Sequence, residues 1–291
     1  GCSFCTEGLK SPYEERPVKD IVAEALALAD KGIRHIRLGK QPDFFSRGPG
    51  DMHTMLAKIR PKVKTLHIDN ADPRNIDEEK VKLVARYCTS GNVAALGIES
   101  FDSAVIEANN LNSDEASSMA AIRLINRLGG ERGKDGMPRF LPGINLLFGL
   151  KGESKLTHEK NIGCLCSILD EGLLLRRINI RQVALYPGTE LYESCGDRYI
   201  KKNKKHYWRW RDEIRQKIDN PMLKRLAPVG QVMRDVKMEV HDGNNTFGRQ
   251  MGTYPLVVGL KQKLELGRYH DVKVTGHMLR SVIGEVVQER C

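Results

Sequence analysis

The sequence has no apolar run close to the roughly 20 residues that a membrane-spanning helix requires. No charged and then apolar segment, as in a secretory signal peptide, opens it. Its seven cysteines follow no regular spacing, which argues against the disulfide framework of a small secreted domain. These absences predict a cytoplasmic protein without a membrane partner. A hydrophobic content of 40% over 291 residues is enough for one large domain and a small one.

Negative charge is scarce relative to positive charge. Lys and Arg number 47 against 37 Asp and Glu, so the formal net charge is +10. Such a balance favours a polyanionic partner, nucleic acid first, because a basic surface attracts phosphates at long range. A basic surface that is merely solvated is the alternative.

Helical and strand patterns alternate from about residue 18 to 187. We expect strands at 33–38, 65–68, 93–98, 143–150 and 178–185. Helices are expected at 18–31, 51–61, 77–87, 155–171 and, as a pair, within 102–128. Repeated strand–helix units imply a parallel sheet with right-handed crossovers. With a sixth strand ending just before Gly1, the expected α/β fold is a partial (β/α)6 barrel whose functional residues gather at the carboxyl ends of the strands.

The pattern changes near residue 200. Residues 201–217 are strongly basic and carry three aromatics, which predicts a charged helix linking two domains. From about residue 226, short β-prone runs alternate with Gly and Asn turns, as in a small, curved antiparallel barrel. We therefore expect a partial barrel over 1–199, a basic linker helix over 200–224 and an all-β domain over 225–291.

A cysteine pair stands at the start of the chain. Cys2 and Cys5 have the spacing that lets two thiols reach one zinc ion or iron–sulfur cluster, although redox pairs share it. No second ligand pair of the kind that zinc needs follows. Cys164 and Cys166 lie in a helical stretch, where their spacing places them on different faces. An iron–sulfur cluster with a third cysteine before Gly1 is therefore the preferred interpretation, and we expect the chain to be part of a longer protein.

With an aromatic residue, Phe4, between the two thiols, residues 1–5 resemble the cysteine loop of the radical S-adenosylmethionine (radical SAM) superfamily. In that family three cysteines hold a 4Fe–4S cluster. The resemblance implies that Cys2 and Cys5 are two of these ligands and that Phe4 lies beside SAM. It also implies that the third cysteine lies just upstream.

Two strand ends extend the resemblance. Gly39 and Gln41 follow the 33–38 strand, where the family often has an acidic residue that contacts the methionyl amine of SAM. The glutamine departs from that form and is similar to the variant in tRNA methylthiotransferases, with a simple turn as the alternative. Glu99 and Ser100 end the 93–98 strand, where the family has a polar contact to the ribose or carboxylate of SAM.

The last two strands of the series resemble the part of the family that surrounds the adenine. Asn145 lies in the 143–150 strand, and Gly149 and Glu153 belong to the Gly-x-x-Gly-Glu turn that ends it. We expect Glu153 to cap the following helix, because a carboxylate favours a helix amino terminus. The remaining expected SAM contacts are in the 178–185 strand: Gln182, Val183 and Leu185.

The C-terminal segment resembles a TRAM domain, a small RNA-binding β-barrel appended to several tRNA-modifying enzymes. A curved sheet with a row of cations can follow a phosphate backbone. The expected RNA-binding residues are Arg249, Lys261, Lys263, Arg268 and Arg280. The aromatics Phe247, Tyr254 and Tyr269 are expected to stack on bases or to fill the barrel. A purely structural cap is the alternative for the whole domain.

The resemblance implies an activity. A 4Fe–4S cluster, reduced by a partner such as ferredoxin or flavodoxin, cleaves SAM to a 5′-deoxyadenosyl radical. With a TRAM-like domain and a net charge of +10, the predicted substrate is a nucleoside of RNA, with tRNA as the expected partner. One alternative is a methylase of a protein or small molecule that uses cobalamin bound by an N-terminal domain absent from this sequence. Another is a non-catalytic RNA-binding scaffold.

Overall fold

The computed structural model describes residues 1–10 and 14–287. The last four residues of the expected all-β domain, 288–291, lie outside this range. Among the described residues, no helix is both long and apolar enough to cross a membrane.

Parallel strands form the larger part of the molecule. Its six strands are β1 (His35–Leu38), β2 (Thr65–Ile68), β3 (Asn70–Ala71), β4 (Asn92–Glu99), β5 (Phe140–Phe148) and β6 (Ile178–Gln182). β1 pairs with β2, and β3 to β6 form a four-stranded sheet in chain order. Only Asp69 separates β2 from β3, and its carbonyl accepts a 3.0 Å hydrogen bond from the Ala95 N–H. The strands therefore make one arc with five positions, and the predicted parallel sheet is confirmed.

One edge of this arc ends at β1, which pairs with no strand other than β2 in the described part of the chain. The expected strand before Gly1 stays a prediction. The strand bounds differ from the expected ones where the backbone turns. β5 ends at Phe148 rather than at 150, because Gly149 has a φ of +94°, outside the extended region. β6 ends at Gln182, so Val183 and Leu185 lie in the loop that follows it.

Helices cover the outer face of the arc. Apart from the short α1 (Glu7–Lys10), which follows Cys5, they are α2 (Val18–Asp30), α3 (Pro49–Ile59), α4 (Glu78–Tyr87), α5 (Ser103–Ala108), α6 (Glu115–Gly129) and α7 (Lys155–Asp170). Side-chain caps fix several starts; Asp77 accepts from the Lys80 N–H and Asp114 from the Ser117 N–H. The core between helices and strands contains fully buried large side chains, among them Phe44, Phe45 and Phe140.

After the short helix α8 (Glu190–Cys195), a long helical stretch runs through α9 (Arg198–Ile214), a π-helical segment (Arg215–Asp219) and α10 (Asn220–Leu226). The expected segment 200–224 is thus helical, but it is not a solvated linker. Trp210, Ile214 and Ile218 are at most 1% exposed and belong to the core of the larger domain. Within the basic run, apolar residues recur at every third or fourth position and form a stripe along one face of the helix. This stripe packs behind β5 and β6 and closes the arc there.

The C-terminal part is a closed five-stranded barrel with its own apolar core. Its strands are β7 (Val232–Asp242), β8 (Asn245–Arg249), β9 (Val257–Leu260), β10 (Tyr269–His277) and β11 (Val282–Val286). The expected antiparallel pairing is corrected at one place, because β9 and β11 are parallel. This barrel packs beneath the amino ends of the larger sheet, where Met137 and Leu141 enter its core.

Candidate active site

A cavity of about 1040 Å³ opens at the carboxyl ends of the parallel strands. Its walls come from the cysteine loop with α1, residues 14–16 with α2, the loop after β1, β3 with Asp72, β4 and one side chain of β5. The predicted residues that line it are Cys2, Phe4, Cys5, Gly39, Gln41, Glu99 and Asn145. These side chains are up to 143 residues apart in the sequence and meet because parallel strands end at one edge of a sheet.

The cysteine loop is a tight turn anchored at its centre. The Cys5 N–H donates to the Cys2 carbonyl at 3.0 Å. Between them, the buried Ser3 donates its hydroxyl to Oδ1 of Asn109 at 2.9 Å, and its carbonyl accepts from the Leu191 N–H at 2.9 Å. This anchoring fixes the backbone of the turn, while both half-buried thiols remain at the cavity wall.

Burial raises the pKa of the Cys2 thiol, although the Asn112 backbone N–H favours the thiolate. The negative charges of Glu99 and Cys5 raise this pKa further. The two thiolates and the Glu99 carboxylate repel one another when they are ionised. A bound cation relieves this repulsion, so the site favours a cationic ligand. Among the described residues, no group of three His, Cys, Asp or Glu side chains is placed to hold a metal ion. The chain thus supplies a pair of thiols here.

Glu99 lines the cavity with a strained backbone conformation. The residue ends β4 with a φ of +61°, a left-handed conformation that costs a non-glycine residue roughly 1–2 kcal/mol. Burial raises the pKa of its carboxyl to about 7, and the positive charge of Arg181 opposes this shift. A carboxyl whose pKa is raised by burial and whose backbone is left-handed, at the end of a buried strand, indicates a ligand contact.

Two amide side chains, Gln41 and Asn145, also line the cavity. The Gln41 side chain donates to the Leu38 carbonyl at 3.0 Å, and the Gln41 carbonyl accepts from Asn70 at 2.9 Å. These bonds hold the loop after β1 against β3. On the inner face of the arc, the Asn179 amide donates to Oδ1 of Asn145 at 3.0 Å. The walls therefore offer amide groups in addition to the thiols and Glu99.

Four of the other predicted residues lie away from the wall of this cavity. The Ser100 hydroxyl is buried and donates to Asn161 at 3.3 Å, so it fastens β4 to α7. Val183 packs in a small apolar cluster that Leu185 borders. Cys2 and Phe4 border the same cluster, so the loop after β6 supports the cysteine loop from behind. Gln182 ends β6 opposite Phe148 and is exposed.

Glu153 does not cap the helix that follows it. The cap is Ser154, which forms a capping box with Thr157. The Glu153 carboxylate is buried and accepts from the Gly149 N–H at 2.5 Å and from the Asn203 amide at 3.1 Å. Burial raises the pKa of this carboxyl to about 7 against those hydrogen bonds. Gly149 and Glu153 thus close the turn after β5 on itself and tie it to α9.

A loop of the small barrel closes the opposite, amino-terminal end of the arc, which the sequence did not indicate. The Tyr254 hydroxyl donates to Oδ1 of Asp69 at 3.0 Å, and the Arg177 guanidinium lies 4.5 Å from the centre of the Tyr254 ring. Arg177 also donates to Asn179 at 3.2 Å. Tyr254 therefore neither fills the small barrel nor presents its ring to a base, and a chain of polar contacts leads from it to the amides at the cavity.

The neighbouring Thr253 completes this closure. Its hydroxyl accepts from the Val93 N–H at 3.1 Å, and its carbonyl accepts from Arg37 at 3.4 Å. Gly91 packs so closely on the loop that an added Cβ would lie 2.8 Å from the Met251 carbonyl oxygen. We call residues 250–256 the floor loop, because they seal the end of the arc opposite the cavity.

The predicted RNA-binding cations do not form one surface. Arg249 and Lys261 follow opposite ends of the paired strands β8 and β9. Three of the five cations have carboxylate partners: Arg249 with Glu239 at 3.0 Å, Arg268 with Glu265 at 3.2 Å and Arg280 with Asp219 at 4.0 Å. Lys261 and Lys263 are exposed. All of this domain lies on the side of the arc away from the cavity.

The model of the radical SAM superfamily matches residues 1–154, which is more than half of the chain. The chain belongs to the radical SAM superfamily. Uncharacterised proteins of Archaeoglobus fulgidus and Methanocaldococcus jannaschii are each 43% identical to it. The alignments cover 97% and 99% of this chain but only 56% and 58% of those proteins. The chain thus spans little more than half the length of these relatives.

More distant matches are radical SAM enzymes and methylthiotransferases. The tRNA-2-methylthio-N(6)-dimethylallyladenosine synthase of Dictyoglomus thermophilum is 22% identical over 99% of this chain and 63% of its own length. Among solved structures, the methyltransferase TsrM of Kitasatospora setae, with cobalamin and a [4Fe-4S] cluster bound, has a TM-score of 0.52 at 16% identity, over 67% of this chain and 35% of that one. Coproporphyrinogen III oxidase of Escherichia coli has a TM-score of 0.50 at 12% identity, over 86% and 62%. At such identities these structures show the shared fold alone.

Members of the radical SAM superfamily use a 4Fe–4S cluster and SAM, and the cavity of this radical SAM chain fits both groups. Thiolates are the usual protein ligands of such clusters, and Cys2 and Cys5 stand side by side at the wall. The volume of about 1040 Å³ is at the upper end of the range for small-molecule sites, about 300–1,000 Å³. Carboxylate and amide side chains face the same space and suit the amino acid and ribose groups of SAM.

Proposed function

We propose that this radical SAM protein cleaves SAM reductively at a 4Fe–4S cluster and modifies a nucleoside of RNA, with tRNA as the expected substrate class. The observation that carries the proposal is the meeting of Cys2, Cys5 and Glu99 at one cavity at the carboxyl end of the sheet. The superfamily membership supports the chemistry. The net charge of +10 and the distant likeness to a synthase of a modified tRNA nucleoside support the substrate.

The cluster and SAM, when bound and reduced, supply a 5′-deoxyadenosyl radical that abstracts a hydrogen atom from the substrate. In the proposed site Cys2 and Cys5 would hold the cluster through their thiolates, and one further cysteine would complete the set. Gln41 and Glu99 orient the amino acid part of SAM, and Asn145 holds the nucleoside part. Gly149 and Val183, which were expected to contact SAM, lie in turns that support the cysteine loop.

Other residues of the chain limit access to this chemistry. The floor loop closes the amino end of the arc through Thr253 and Tyr254, so substrate and solvent do not enter from that end. Excluding water protects a radical from side reactions. We further propose that a sixth strand pairs with the open edge of β1 and that the small barrel is a TRAM-like module.

The first test uses the full-length protein, reconstituted with iron and sulfide under anaerobic conditions and reduced with dithionite. Electron paramagnetic resonance is expected to give a 4Fe–4S signal that changes when SAM is added, and chromatography is expected to find 5′-deoxyadenosine. A reduced cluster that neither responds to SAM nor cleaves it would contradict the chemistry.

The substrate is tested separately. Unmodified tRNA transcripts are incubated with the active protein and SAM, digested to nucleosides and compared by mass spectrometry with transcripts incubated without SAM. A new nucleoside mass supports the proposal. SAM cleavage that leaves every nucleoside unchanged, together with methyl transfer to a peptide or small molecule and a corrinoid bound to the full-length protein, would favour the cobalamin-dependent alternative.

A further inference from the structure

The exposed face of α9 concentrates positive charge. Residues 198–211 contain seven Lys and Arg and not one Asp or Glu. Lys201, Lys204, Lys205 and Trp208 have the spacing i, i+3, i+4, i+7 of a single helix face, and all four are exposed. Of the three lysines, only Lys201 has a carboxylate within 4 Å among the described residues, namely Asp197 at 2.8 Å. We call these four residues the α9 face.

An exposed tryptophan lies near the carboxyl end of this basic stretch, one turn before the exposed Asp212. Trp208 is 62% exposed, although its large apolar surface gains free energy when it leaves water. The guanidinium of Arg211, one turn further along the helix, lies 4.8 Å from its ring centre. A flat aromatic ring held by a cation and flanked by lysines matches what binds single-stranded nucleic acid, where bases stack on the ring and cations contact the phosphates.

The first turn of α9 touches the site. Ile200 borders the same apolar cluster as Cys2 and Phe4. A Cβ added to Gly149, in the turn after β5, would lie 2.7 Å from Cγ1 of Ile200, and Asn203 donates to Glu153 at 3.1 Å. From Ile200 to Trp208 the helix rises about 12 Å. The α9 face therefore begins beside the open end of the arc, whereas the small barrel lies at its sealed end.

We propose that RNA docks on the α9 face, with a base stacked on Trp208 and phosphates on Lys204 and Lys205, and that this contact, rather than the small barrel, delivers the substrate nucleoside to the cavity. The inference rests on the proposed function, because it assumes an RNA substrate. It deepens that function by naming the docking surface. A membrane surface is the less suitable partner, since the other large apolar side chains of α9 that would insert into lipid, Trp210 and Ile214, are buried in the core.

The test compares two charge reversals of equal size in the full-length, reconstituted protein. Lys204→Glu/Lys205→Glu changes the α9 face, and Lys261→Glu/Lys263→Glu changes the small barrel at two lysines that are also exposed. Binding of a bulk tRNA pool is measured by filter retention over a range of salt concentrations. Thermal unfolding and the cluster signal check that each variant is folded and loaded.

For the α9 double variant we expect affinity to fall at least about tenfold and the slope of log K against log salt to decrease by about 1.5, since each phosphate contact contributes about 0.7–0.9 to that slope. Trp208→Ala is expected to weaken binding at least about fivefold while leaving the salt slope unchanged, because stacking is not ionic. The affinity of the small-barrel variant for tRNA is expected to fall less than about threefold.

Several results would overturn the inference. The first is a loss of RNA affinity in the small-barrel variant that equals or exceeds the loss in the α9 double variant. The second is unchanged RNA affinity in both α9 variants. The third is binding to phosphatidylglycerol vesicles without any binding to RNA. Nucleoside analysis separates this inference from the proposed function. RNA binding through the α9 face without any modified nucleoside sustains the docking surface and contradicts the proposed function. Nucleoside modification that proceeds as fast in the α9 variants as in the wild type, with SAM cleavage measured without RNA as the reference, sustains the proposed function and contradicts the docking surface. Absence of both binding and modification overturns both.

Discussion

The two ends of the parallel arc use their polar groups differently. At the carboxyl end, Cys2 and Glu99 face a cavity, and burial raises the pKa of both groups. The floor loop closes the amino end, where Thr253 is hydrogen-bonded to Val93 of β4 and Tyr254 to Asp69 between β2 and β3. At the carboxyl end, the negative charges of the site are unfavourable until a ligand binds. At the amino end, the polar groups of the floor loop already have hydrogen-bond partners within the protein. At the open end Glu99 also has a left-handed backbone, with a φ of +61°.

The largest effect is expected from removing one thiol at the open end. Cys2→Ala is expected to abolish the SAM-responsive cluster signal and the formation of 5′-deoxyadenosine, because a cluster bound through fewer thiolates is not retained. Iron content, paramagnetic resonance and nucleoside chromatography measure the result. The matched control is Cys166→Ala, a half-buried thiol on α7 outside the cavity, for which the signal should persist. Full activity in the Cys2 variant would remove this end of the barrel from consideration as the cluster site.

Two glycines test the ends against each other. Gly149 at the open end has a φ of +94° and Gly91 at the sealed end has a φ of +77°; a Cβ would lie 2.7 Å from Ile200 at the first and 2.8 Å from the Met251 carbonyl oxygen at the second. Because strain and overlap add, each Gly→Ala change is expected to lower the free energy of unfolding by about 2–4 kcal/mol. Urea denaturation measures it.

The control is Gly32→Ala, where φ is +89° but a Cβ would meet nothing within 4 Å. Only the conformational cost of about 1–2 kcal/mol is expected there. Hydrogen exchange should locate the loosening in the floor loop for the Gly91 variant and in the first turns of α9 for the Gly149 variant. If all three variants lose equal stability, the close packing described for the two ends is wrong.

The turn after β5 is expected to make stability depend on pH. Burial raises the pKa of Glu153 to about 7, above the value of about 4.3 in an unfolded chain. The native state therefore holds a proton that the unfolded state releases, and this contribution to stability is present below about pH 4.3 and is lost as the pH rises through about 7. Glu153→Gln should remove that part of the decline in Tm between pH 5 and pH 8. Glu107→Gln, an exposed carboxyl, should leave it, and equal slopes in wild type and the Glu153 variant would refute the assignment.

The smallest effect is expected from a single hydroxyl of the floor loop. Tyr254→Phe removes the 3.0 Å bond to Asp69 and is expected to cost about 1 kcal/mol of stability. Asp69→Asn in the same background should then add less than it does alone, because the two side chains share one bond. Denaturant midpoints of the four proteins give the coupling. Tyr192→Phe, at an exposed position, is the control, and additive effects at Tyr254 and Asp69 would show that the bond does not contribute.

Much of the site was predictable because it depends on local patterns. Alternating apolar runs and helix signals place five of the six strands, all but β3, within a few residues. The cysteine spacing indicated Cys2, the resemblance to the radical SAM superfamily implied Gln41, Glu99 and Asn145, and all four line one cavity. Ser100 and Glu153 have the right positions in the chain, but their side chains turn to Asn161 and Gly149. Side-chain direction after a strand end depends on neighbours that the sequence does not name.

The sequence by itself determined the superfamily, the parallel sheet, the cysteine pair and a separate all-β domain, since periodicity and short motifs are local properties. Only the tertiary structure decided which face of the basic helix is buried and where the small barrel sits. The contact of Tyr254 with Asp69 joins residues 185 positions apart, and the burial of Trp210 depends on Phe148 and His158 from other elements. Such contacts arise when secondary structures pack, because apolar stripes are buried against whichever surface completes the core.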